Sequence, residues 1–70
     1  MHVRISEPAL LPELMDLFLR NDCVAHPVAT DACLVLHVHA NHGSEARQEL
    51  AFFLRAWQIR HPHVTTALLH

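Results

Sequence analysis

Residues 2–6, His-Val-Arg-Ile-Ser, alternate strictly between apolar and polar. Val3 and Ile5 face one way and His2, Arg4 and Ser6 the other, which predicts a half-buried strand. The period then changes. Leu10, Leu11, Leu14, Leu17 and Phe18 recur at helical spacing and form one apolar stripe. Ser6, Glu7 and Pro8 suit the start of a helix: a small hydroxyl to cap, an acid, and a proline in the first turn. Pro12, however, lacks the N–H that a helix begun at Glu7 would use there. Regular helix is therefore expected from near Leu11, ending at Asn21 and Asp22.

Residues 23–28 and 32–39 read as two strands about a turn at Thr30 and Asp31. Pro27 confines the first to an edge of its sheet. The second, Cys33 to His39, is the most strand-like run in the chain. Asn41, His42 and Gly43 break it. Ser44 is a good cap for a second helix, with Ala46, Leu50, Phe53, Leu54 and Trp57 on one face. His61 before Pro62 stops that helix, because a residue preceding proline avoids helical geometry. Residues 63–69 predict a last short strand.

The order β-α-β-β-α-β resembles the ferredoxin-like fold. That resemblance implies an α+β sandwich: a four-stranded antiparallel sheet, strands ordered 4-1-3-2, with two helices on one face. It covers residues 1–70 as a single domain. ACT-type regulatory domains, metal-chaperone domains and RNA-recognition modules share this fold and differ in function. The ending Leu50, Phe53, Leu54, Trp57, Gln58, Arg60, His61, Pro62 is also similar to that of small uncharacterised actinobacterial proteins, a resemblance that implies no activity.

In such a fold the helices are expected to cover Val3, Ile5, Leu34, Leu36 and Val38, with Trp57 and Phe53 over Leu36. The open face then receives His2, Arg4, Ser6, Cys33, Val35, His37 and His39. A tight turn at Thr30 and Asp31 adds Val24, His26 and Val28. A register slip of one residue would exchange the faces. Antiparallel pairing of the first and third strands brings His2 near His39 and Arg4 near His37, with His70 at the same corner. Three readings of this histidine cluster follow. Neutral imidazoles of His2, His37 and His39 could ligate zinc, nickel or copper. The histidines could instead be polar decoration of an exposed face, or a pH sensor.

Composition narrows the rest. Among 70 residues, 51% are hydrophobic. A chain this short makes a marginal core on its own, so much apolar surface argues for a partner chain. A homodimer is expected, with Val24, Val28, Val35 and His37 at the interface. The formal charge of −2 and the five cations, all Arg, make no basic stripe, so nucleic acid is not an expected partner. The apolar run over residues 9–19 is interrupted by Pro12, Glu13 and Asp16. It lacks the flanks of a signal peptide and the length of a membrane span, so a cytoplasmic chain is expected.

Catalytic signatures are missing. Cys23 and Cys33 fit no metal or redox spacing and are expected to be reduced thiols. Glu45 and Glu49 on the second helix read as solvated charges. Gly43 is the only glycine, which excludes a glycine-rich phosphate loop. No nucleophile and base can be paired. The expectation is a non-enzymatic interaction or regulatory module, homodimeric through its sheet and without a cofactor. The alternative is a small protein binding a metal through His2, His37 and His39.

Overall fold

The computed structural model describes residues 1–38 and 43–69. Strand β1 (His2–Ile5) leads through a 3-10 turn (Pro8–Leu10) into helix α1 (Leu11–Arg20). Strands β2 (Cys23–Ala29) and β3 (Ala32–His37) form a hairpin. Helix α2 (Gly43–Arg60) and strand β4 (Thr66–Leu69) complete the order.

The prolines decide where α1 begins. Pro8 opens the 3-10 turn, and Pro12 falls within the first two positions of the α-helix, where the missing N–H has no partner to lose. At the other end the Asn21 side-chain amide donates to the Leu17 carbonyl at 2.7 Å. Asp22 takes a positive φ of 62°, a conformation that Asp tolerates better than most residues. Two residues thus reverse the chain from α1 into β2.

The four strands form one antiparallel sheet ordered β2-β3-β1-β4. Both helices pack on one side of it. Leu11, Leu14 and Phe18 from α1 and Leu50, Leu54 and Trp57 from α2 form one cluster with Val3, Ile5, Cys33 and Val35. His61 ties the two helices together at one end. Its ring stacks on Trp57 with centroids 4.0 Å apart. Its Nδ1 lies 3.0 Å from the Trp57 carbonyl, and its Nε2 lies 3.6 Å from Glu13 Oε1 on α1.

One expectation is corrected here. Leu34, Leu36 and Val38 do not face the helices. Cys33 and Val35 do, and Val35 is only 1% exposed, while Leu36 is 57% and Val38 59% exposed. The pairing with β1 sets this: core residue Val3 lies opposite Cys33, so Cys33 and Val35 share its face. The hairpin then adjusts β2 to it. Ala29 pairs with Ala32 about Thr30 and Asp31, as a tight turn requires, but a bulge lies between Pro27 and Ala29. The extra residue, Val28, shifts the ladder by one. His26 therefore faces Leu34 and Ala25 faces Val35, which puts Val24 and His26 on the same open face as Leu34 and Leu36.

Candidate functional site

The exchange of faces separates the histidines expected to converge. On the open face a row runs across the whole sheet: His26 opposite Leu34, Leu34 opposite His2, His2 opposite Leu69. His2 thus neighbours two leucines, and Arg4 neighbours Ala32 and Ala67. Neither sits beside a histidine of β3. Pairing of β1 is anchored at the start of β3, where the Met1 ammonium donates to the Val35 carbonyl at 2.9 Å. The Val35 amide donates back to Met1 at 2.7 Å. His37 lies beyond the paired segment and on the opposite face from His2, so these two cannot share an ion. His39 and His70 lie outside the described residues. Among the described residues, no group of three or more His, Cys, Asp or Glu side chains is arranged to hold a metal.

His37 pairs with Cys23 of β2 and points to the helix side. Its side chain is 7% exposed, and its Nε2 meets Glu49 Oε2 of α2. An ionised carboxylate only accepts, so this contact puts the ring proton on Nε2. The site joins the end of β3 to α2. In the sequence its two members carry no sign of each other: His37 reads as a metal ligand, an interface residue, a pH sensor or exposed decoration, and Glu49 as a solvated charge. The interface assignment of His37 and Val35 is corrected accordingly, since both turn inward. Val24 and Val28 are exposed as expected.

Cys23, next to this pair, is buried. Its thiol donates to the Asn21 carbonyl at 3.5 Å. Burial first, then the charges of Glu49 and Asp22, push its pKa above the ordinary thiol value. Burial likewise raises that of Cys33, although the nearby amino terminus pulls the other way. Both cysteines are free thiols. A thiol held neutral is a poor nucleophile, so Cys23, His37 and Glu49 do not make an activated cysteine.

A stability consequence follows. Above about pH 8.5 the unfolded chain loses its thiol protons, while the folded chain keeps them. The folded state then binds more protons, so stability falls as pH rises through that window. Melting temperature should drop between about pH 8.5 and 10, and the drop should be smaller in a Cys23→Ala, Cys33→Ala double variant. Equal slopes in thermal melts of the two proteins would remove the thiols as the cause.

The open sheet face leaves apolar surface uncovered. Val24, Leu36, Val38 and Leu69 are exposed there around the half-buried Leu34. Val24 is directly opposite Leu36. Of this group Val24 and Leu69 lie on the open face, as the alternation along their strands predicts; Leu34, Leu36 and Val38 do not lie on the helix face expected of them, because Cys33 to Leu36 carry no polar marker. No helix formed by described residues is long and apolar enough to cross a membrane. Comparisons with protein-family models, with curated proteins and with solved structures find no match for this chain.

Proposed function

We propose that this chain is a non-enzymatic interaction module of ferredoxin-like fold that forms a homodimer through its open sheet face. The strand order supports the fold, because β2-β3-β1-β4 read from the other edge is 4-1-3-2. The observation that carries the function is the apolar patch of Val24, Leu36, Val38 and Leu69 on a sheet face that neither helix covers. Contiguous exposed apolar surface on so small a chain marks a contact. A sheet face packs on a copy of itself about a two-fold axis, which makes the same patch serve both subunits. His26 lies at the edge of the patch beside Leu34 and places a polar ring at its rim, as interfaces have, while His2 lies within it between Leu34 and Leu69. A cytoplasmic setting suits the two free thiols.

Light scattering tests this reading. The wild-type chain should have twice the monomer mass at micromolar concentration. Leu36→Glu should be a monomer with an unchanged circular dichroism spectrum, because a charge at the centre of an apolar interface opposes association while an exposed site tolerates it. A wild-type monomer at millimolar concentration would sink the proposal.

A further inference from the structure

The two edges of the sheet differ. β2 is one edge and β4 the other. The N–H groups of Val3 and Ile5 belong to the β3 side of β1: Val3 lies between the Met1–Val35 exchange and the bond from Ile5 to Asp31. His2, Arg4 and Ser6 therefore bond toward β4, and Ser6 donates to the Thr65 carbonyl at 2.9 Å. Their partners Ala67 and Leu69 spend their backbone groups on β1. By the alternation of an antiparallel ladder, Thr66 and Leu68 direct theirs outward. Among the described residues no strand pairs with that side.

The same reasoning on β2 gives a different edge. Leu34 and Leu36 bond toward His26 and Val24, so Cys23, Ala25 and Pro27 are the outward positions. Proline there offers no N–H, and the bulge follows at once. β2 carries two of the usual protections against a further strand, whereas β4, Thr-Ala-Leu-Leu, has neither proline, charge nor bulge.

Beside the outward side of β4 lies a groove of about 410 Å³ between this strand and α2. Leu54, Ile59 and Leu68 give it apolar walls, and Gln58, Thr66 and Arg55 its polar groups. Gln58 and Thr66 bond each other, at 3.1 Å. Ile59 is 76% exposed. Arg55 supplies the only charge in the lining and makes no ion pair with any described residue.

We infer that the β4 edge and this groove bind an extended peptide segment of another protein, which adds as a fifth strand. Its apolar side chains enter the groove and one carboxylate meets Arg55. Main-chain bonds to Thr66 and Leu68 would hold the strand, and the groove would read alternate side chains. Charge decides against a second copy as occupant. Antiparallel pairing of two β4 strands places a two-fold axis at Ala67, midway between the outward residues Thr66 and Leu68. The two α2 helices then lie on the same side, with their Arg55 side chains turned toward each other and no acid in either groove. A segment carrying Asp or Glu has no such conflict.

The probe is a fluorescein-labelled peptide with valine, glutamate and valine at alternate positions and threonine between them. Its partner is the same peptide with lysine for glutamate. Fluorescence anisotropy with the full chain should show the glutamate peptide binding about fivefold more tightly, the effect of one exposed ion pair. Arg55→Glu should reverse the preference. This residue is exposed, and circular dichroism checks that the variant is folded. Leu36→Glu, on the open face, should leave peptide binding unchanged, which separates this edge from the proposed dimer surface. No saturable binding of either peptide, equal binding of both, or an unchanged preference in Arg55→Glu would each overturn the inference. So would a dimer that Arg55→Glu strengthens, since it would assign the edge to a second copy.

Discussion

Val35→Glu should fail to fold, while Leu36→Glu should keep its fold, although the two positions are adjacent in one strand. Val35 lies within the cluster formed by both helices. A carboxylate there has no partner, and burial of an unpaired charge costs several kcal/mol. A chain of this size has about 4–10 kcal/mol of stability in total, so most of it would be lost. Leu36 points away from the helices and is surrounded by solvent in one chain. Circular dichroism melts of both variants check this. A folded Val35→Glu protein alongside an unfolded Leu36→Glu protein would mean that the faces of β3 are the reverse of those described.

The second large effect is at Trp57. Its ring is buried against the core and is covered on one side by His61. Trp57→Ala should cost about 3–5 kcal/mol, the usual loss for a large aromatic truncated in a core. His61→Ala keeps the buried ring and removes the stacking and the link to Glu13, so about 1 kcal/mol is expected. Urea unfolding followed by circular dichroism measures both. Equal losses would mean that Trp57 acts mainly through His61 and contributes little through its own burial.

These two positions also separate what the amino-acid order reveals from what it hides. Trp57 lies on the apolar stripe of α2 from Ala46 to Trp57, where helical spacing repeats over about three turns, so one ambiguous residue changes little. β1 was equally plain, since Arg4 lies between Val3 and Ile5 and marks the outer face. β3 has no such marker: Cys33 to Leu36 are all apolar, so either set of alternate residues can face the core. The first polar residue, His37, pointed the wrong way because Glu49 of α2 supplies its ring with a partner on the helix side. That contact spans elements that local patterning cannot relate. Pro27 did hint at the bulge, as proline within a strand often does. Its effect on the register depends on which residue is extra, and Val28 carries no signature of that. The candidate histidine site was lost to the register of β1 on β3, which sets His2 opposite Leu34.

The unlike edges also bear on how far assembly can go. A sheet with two receptive edges adds strands at both and can grow without end into a fibril. In this sheet Pro27 and the bulge close the β2 side, so strand addition can proceed only from β4. Whatever occupies that edge, its pairing ends there unless the newcomer brings a free edge of its own. Only a change that removed both Pro27 and the bulge would turn a chain that terminates growth into one that can propagate it.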